Sequence, residues 1–135
     1  MQEIYLVCGV PGSGKTWVCR QLAHKAYYIP HDLHYRDHAH ALLKASRTSI
    51  KPIITEVPFA ERVLRETLEK HGITVKPIFV IEDVQTIADR YEAREGKKIP
   101  KNNITRAKSI IDRAKEWNAF MGKSEEVLKH LDSIL

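Results

Sequence analysis

Residues 9–16 read Gly-Val-Pro-Gly-Ser-Gly-Lys-Thr, a complete G-x-x-x-x-G-K-[ST] pattern, placed directly after the apolar run Ile4-Tyr5-Leu6-Val7-Cys8. That order dictates a buried strand, a glycine-rich turn and a helix beginning near Lys15. Gly9, Gly12 and Gly14 permit torsions and close approaches that a Cβ obstructs, so successive backbone N–H groups can converge on phosphate oxygens. Lys15 puts a cation on the β- and γ-phosphates, and the Thr16 hydroxyl is the Mg²⁺ ligand the pattern calls for. The helix N-terminus adds its partial positive charge. Pro11, Ser13 and Trp17 complete the stretch assigned to the nucleotide. The pattern implies a nucleoside triphosphate site.

A chain of 135 residues has room for one domain, spanning 1–135, and one core. Its 43% hydrophobic content is ordinary for a soluble chain, and no apolar stretch approaches a membrane span. No charged region leads into a long apolar segment, so no secretory signal is read. Cys8 and Cys19 have neither metal nor disulfide spacing and read as small buried apolar residues in a reducing cytoplasm. The net charge of +5 leans toward a polyanionic partner, although a triphosphate alone requires cations.

Strand and helix patterns alternate, which predicts a parallel sheet of four or five strands covered by helices. Val18, Cys19, Leu22 and Ala26 recur at helical spacing. Tyr27-Tyr28-Ile29 reads as a second strand, Ala39 to Ala45 as a helix, and Pro52 to Thr55 as a third strand. Pro58 fits an early position of the next helix, with a stripe of Val63, Leu64, Thr67 and Leu68 closed by His71-Gly72. Ile73 to Ile81 supplies the fourth strand. Asp83 can cap a helix carrying Ile87, Ala88 and Tyr91 and ending at Gly96. After the basic connector Lys97 to Asn103, one long helix is predicted to carry Ile104, Ala107, Ile111, Ala114 and Met121 and to end at Gly122. Ser124 caps a last helix with Val127, Leu128, Leu131 and Leu135. Ligands of such a sheet bind outside the carboxyl ends of its strands.

Three segments at those ends carry chemistry: His31-Asp32-Leu33-His34-Tyr35-Arg36, Thr55-Glu56, and Arg90 to Lys98. His34 and His38 are four apart, as metal ligands on a helix are, but no Cys or Glu accompanies them at a recognised spacing, so the stretch reads as a polar substrate-facing loop. Trp17 and Trp117 read as packing residues before base-stacking platforms.

The glycine loop, the Asp–Tyr–Arg segment after the second strand, the Thr55-Glu56 strand end and the Arg-rich stretch ending in Pro100 resemble the kinase domain of phage polynucleotide kinase. More widely, they are similar to zeta-toxin-like and related small P-loop kinases. The likeness follows nearly the whole chain in order and spacing. It implies a P-loop NTPase fold, three layers α/β/α with a short basic lid, using ATP and Mg²⁺. It also implies that Asp32 is the general base for an acceptor hydroxyl, that Arg36 holds an acceptor phosphate, and that Arg90 and Arg94 form a lid over the donor phosphates. The Asp32-to-Arg36 spacing is one residue longer than in the phage enzyme, and Glu56 stands where that family has Asp. Glu56 is grouped with the substrate-binding residues; organising Mg²⁺ through water and pairing with a lysine are both open to it. Each residue also has a plainer role available: Asp32 as a helix cap, Arg36 as a solvated charge, Arg90 and Arg94 as an exposed face paired with Glu92 and Glu95.

The leading expectation is an ATP-dependent kinase acting on a polynucleotide 5′-hydroxyl or a nucleotide. A kinase for a small metabolite or a hydroxylated base in DNA is the alternative, and a nucleotide-dependent switch or motor module is another. Against a switch there is no Asn-Lys-x-Asp motif; against a motor, no apolar strand ends in an Asp-Glu pair. No membrane and no obligate protein partner is inferred.

Overall fold

The computed structural model describes residues 3–31 and 35–135, with the Tyr35 side chain left out. Among the described residues, five strands form one sheet: β1 (Ile4–Gly9), β2 (Tyr27–Ile29), β3 (Ile53–Pro58), β4 (Val75–Val80) and β5 (Phe120–Gly122). Six helices connect or follow them: α1 (Lys15–Gln21), α2 (Tyr35–Thr48), α3 (Arg62–Lys70), α4 (Val84–Glu95), α5 (Lys101–Glu116) and α6 (Ser124–Ile134). The strand order is β2-β3-β1-β4-β5, and every pairing is parallel.

Every residue of β1 is buried, as a central parallel strand covered on both faces requires. Its side chains alternate between two cores. Ile4, Leu6 and Cys8 join Leu42 of α2, Leu64 and Leu68 of α3, Ile87 of α4 and Ile110 of α5. Tyr5 and Val7 face Val18 and Cys19 of α1 and Val127 and Leu131 of α6. Three layers result. The order reverses at β1, which has β3 on one side and β4 on the other, so the crevice beyond its carboxyl end is the switch point where ligands of open α/β sheets bind.

The structure corrects the sequence expectations at several points. α2 runs Tyr35–Thr48, well beyond Ala39 to Ala45. Pro58 ends β3 and opens no helix. Phe59 then donates its N–H to the Gly9 carbonyl at 3.0 Å, and α3 starts only at Arg62. In α3, Leu64 and Leu68 are buried but Val63 is 62% exposed, so the apolar face is narrower than the predicted stripe. Asp83 holds the N-cap position of α4 without a side-chain cap bond. Ser124 is the first residue of α6, and the Lys123 N–H is bonded by Glu126 Oε1 at 3.1 Å.

The largest correction concerns residues 117–122. The helix predicted to reach Gly122 stops at Glu116, and Met121 and Gly122 belong to β5. The stop is a Schellman closure: Asn118 takes φ 50°, its N–H donates to the Lys115 carbonyl at 3.0 Å, and the Ala119 N–H reaches the Ala114 carbonyl at 2.9 Å. Among the described residues, no helix is long and apolar enough to cross a membrane.

Candidate active site

The glycine loop takes the conformation its composition demands. Gly12 has φ 87° and Gly14 φ 101°, torsions that side-chain-bearing residues seldom adopt. The Ser13 N–H closes a turn on the Val10 carbonyl at 3.1 Å. Ser13 is fully buried, and its Oγ has no hydrogen-bond partner among the described residues. The loop sits beyond the carboxyl end of β1 and leads into α1 at Lys15.

A cavity of about 620 Å³ opens over the loop, lined by Gly12, Lys15 and Thr16 of the loop and α1, by Arg90 and Arg94 of α4 and by Ser124 of α6. Pro11, Gly14, Trp17 and Glu125 complete the lining. Arg90 Nη1 donates to the Gly12 carbonyl at 3.0 Å, so α4 is tied directly to the loop. Burial pushes the Lys15 ammonium below the ordinary lysine range; Glu56 pulls it back up, and the nearby Arg94 lowers it further. Such a cation is ready for an anion, because a phosphate would replace the hydration that burial removed.

Glu56 is buried on β3 and accepts hydrogen bonds from the Thr16 hydroxyl through one oxygen and from the Tyr28 hydroxyl through the other. Burial and this carboxylate push the Tyr28 phenol above its usual range. The hydroxyl of Thr16 and the carboxylate of Glu56 make an all-oxygen donor pair of the kind Mg²⁺ takes. Among the described residues there is no cluster of three or more His, Cys, Asp or Glu side chains spaced to hold a metal.

The structure thus brings Gly9, Pro11, Gly12, Ser13, Gly14, Lys15, Thr16, Trp17, Glu56, Arg90 and Arg94 to one end of the sheet. Arg36 is exposed in the first turn of α2. Asp32 and His34 lie outside the described residues. Trp17 is 44% exposed and lines the cavity, so the packing role expected for it does not hold. Trp117 does pack, edge-on to Phe79 at 5.8 Å with the Arg65 guanidinium 4.8 Å from its ring. His38 also departs from the substrate-facing reading: it is buried, 2.8 Å from Thr55 Oγ1. Thr55 spends its hydroxyl proton on the Ile29 carbonyl at 2.6 Å, so His38 Nε2 must be the donor to Thr55. His38 therefore fastens α2 to β3.

Sequence reasoning missed three contributors. Ser124 is expected to be a cap, yet the first residue of α6 stands against the loop: a Cβ on Gly14 would lie 3.0 Å from Ser124 Cβ. Glu82, whose side chain is 8% exposed, pairs with Arg90 at 3.7 Å and Lys123 at 3.7 Å, tying α4 to the residue before α6. Tyr28 was read only as a strand residue. It is the middle residue of β2, in register with Ile54, and nothing in the residue pattern pointed to its bond with Glu56.

The strand order and the glycine loop at the switch point define an α/β fold of the P-loop type. Solved structures of that fold match the chain over nearly its full length. The tunicamycin resistance protein of Deinococcus radiodurans is 17% identical with a TM-score of 0.73, over 98% of this chain and 95% of that one. A gluconokinase from Sinorhizobium meliloti 1021 is 18% identical with a TM-score of 0.61, over 94% and 87%. A chain of the Pnkp1/Rnl/Hen1 RNA repair complex is 15% identical with a TM-score of 0.63, over 85% of this chain and 45% of that one. The chain therefore has the fold of small P-loop kinases. No family model matches it, and no curated protein matches it in sequence.

Proposed function

We propose that this chain is an ATP-dependent kinase that transfers the γ-phosphoryl group to a hydroxyl, with a polynucleotide 5′-hydroxyl or a nucleotide as acceptor. The observation that carries this reading is that Lys15 and the two arginines of α4 line one cavity over the glycine loop. Phosphoryl transfer is catalysed mainly by position and by charge around the moving group, and cations gathered around one cavity meet that need.

In this reading the loop amides and Lys15 hold the β- and γ-phosphates, while Arg90 and Arg94 close over them. The nucleoside end extends past Trp17 toward Ser124 and Glu125, along the same cavity wall. Thr16 and Glu56 would hold Mg²⁺, which when bound neutralises charge on the phosphate oxygens. Tyr28 keeps the Glu56 carboxylate turned toward Thr16. The acceptor oxygen forms its bond to the γ-phosphorus as the bond to the β,γ-bridging oxygen breaks, and ADP leaves with that electron pair. The hydroxyl proton passes to Asp32, the third residue after β2 in the sequence. Arg36 is assigned to an acceptor phosphate.

A small polyol acceptor is the second reading, supported by the fold shared with the gluconokinase. Incubation with γ-labelled ATP and a panel of nucleosides, nucleotides, 5′-hydroxyl oligonucleotides and sugars separates the two. Label in oligonucleotide or nucleotide supports the first, and label confined to a sugar moves the assignment to a metabolite kinase. Asp32→Asn tests the base: turnover falls steeply while ATP binding and melting temperature hold. An active Asp32→Asn enzyme removes Asp32 from that role.

A further inference from the structure

The positive charge of this chain is concentrated. Residues 90–115 contain nine Lys or Arg against three Asp or Glu, a surplus of six in a chain whose net charge is +5. The remainder is slightly acidic overall. Two of those cations, Arg90 and Arg94, belong to the candidate site.

Lys101, Lys108 and Lys115 follow at seven-residue intervals along α5, and all three are exposed. Seven residues are nearly two helical turns, so the three form one row on one face, about 21 Å long at about 1.5 Å per residue. None of the three makes an ion pair with another described residue. Lys97 and Lys98, also exposed, lie in the connector that joins this helix to the arginines.

Beside the row runs a second cavity of about 750 Å³. Lys108 and Lys115 stand on its edge, and Ile111 and Met121 give it an apolar surface. Glu82, Asp83 and Glu126 also line it, but each is engaged with Lys123: Glu82 at 3.7 Å, Asp83 at 3.6 Å, and Glu126 through the Lys123 N–H at 3.1 Å. The lysines of α5 are left to an outside anion.

We infer that the outer face of α5 and the groove beside it form a track for single-stranded nucleic acid, leading to the candidate site. A row of cations spaced along a line suits a phosphate backbone. An apolar groove alongside suits unpaired bases, whose faces a duplex would keep stacked away. The inference rests on the proposed kinase reading only for where the strand ends.

The test is fluorescence anisotropy with a labelled 5′-hydroxyl single-stranded oligonucleotide of about 20 nucleotides across a salt series. The wild-type protein is compared with the Lys101→Glu/Lys108→Glu/Lys115→Glu variant. Each phosphate contact on a single strand contributes about −0.7 to the slope of log K against log salt. Loss of three contacts therefore makes the slope shallower by about 2, with ATP-analogue affinity and melting temperature unchanged. An unchanged slope and affinity in the variant overturns the track, as does equal wild-type affinity for a blunt duplex of the same length or for anionic phospholipid vesicles. Oligonucleotide bound through these lysines but never phosphorylated leaves the track standing and removes the nucleic-acid acceptor. Oligonucleotide phosphorylated with equal KM by both proteins removes the track and leaves the kinase.

Discussion

Lys15 carries the most consequence per atom. It is drawn down by burial and held beside Glu56, so removing its ammonium deletes charge where phosphate is to sit without opening the core. Lys15→Ala is predicted to lower transfer by roughly 10²–10³-fold, the range for losing one preorganised electrostatic donor, with melting temperature little changed. Near-normal turnover by the folded variant would sink the kinase reading. Tyr28→Phe keeps the ring and removes one of the two donors to a buried carboxylate. Denaturant unfolding should show a loss of about 1–3 kcal/mol, and the Mg²⁺ concentration for half-maximal rate should rise. No change in either measurement would detach Tyr28 from the site. Glu61 gives a pH-dependent check. Burial holds its carboxyl above the ordinary 4.5, with His31 pulling it partly back. The folded chain thus binds that proton more tightly than the unfolded chain, and stability falls as pH rises through the glutamate range toward the raised value. Glu61→Gln should therefore melt higher than wild type at pH 7 and match it at pH 3; a gain equal at both would contradict this. The loop glycines, Lys15 and Thr16 were legible in the sequence because backbone torsion and charge tie those residue types to their positions. The bonding of Glu56 was not, since it depends on the register that sets β2 beside β3.

α4 is the element on which the proposed function leans most. Its apolar residue Ile87 is buried in the core while Arg90 and Arg94 line the cavity, so one helix both seals the fold and supplies the two cations proposed as a lid. Removing either guanidinium should reduce kcat far more than it weakens ATP binding, because a lid cation meets charge that develops in the transition state. A change confined to ATP affinity would contradict the assignment. The end of α5 explains what periodicity could not show. Met121 is seven residues after Ala114, so the apolar pattern continues where the helix does not. The break is made by the left-handed torsion of Asn118, which Asn tolerates better than branched residues do. Asn118→Gly should leave stability unchanged or raise it, and Asn118→Val should cost about 1–2 kcal/mol by calorimetry. β5, a three-residue edge strand, is too short to announce itself by alternation.

At the scale of the molecule, five parallel strands with β1 at the centre bring residues 9–16, 56 and 90–94 to one end of the sheet. The alternation of strand and helix made that architecture readable from the sequence, because parallel strands need a crossover between them and helices supply it. The acceptor was not readable in the same way, since acceptor choice depends on loop shape and on a few polar contacts. The central claim is transfer to a hydroxyl, and the fate of the γ-phosphate tests it most directly. With γ-labelled ATP and Mg²⁺, release of inorganic phosphate should be slow without acceptor. Adding a 5′-hydroxyl oligonucleotide or a nucleotide should move the label onto it. Rapid release of phosphate at the same rate with and without every acceptor, and no labelled product, would contradict the account and leave a hydrolase on this fold.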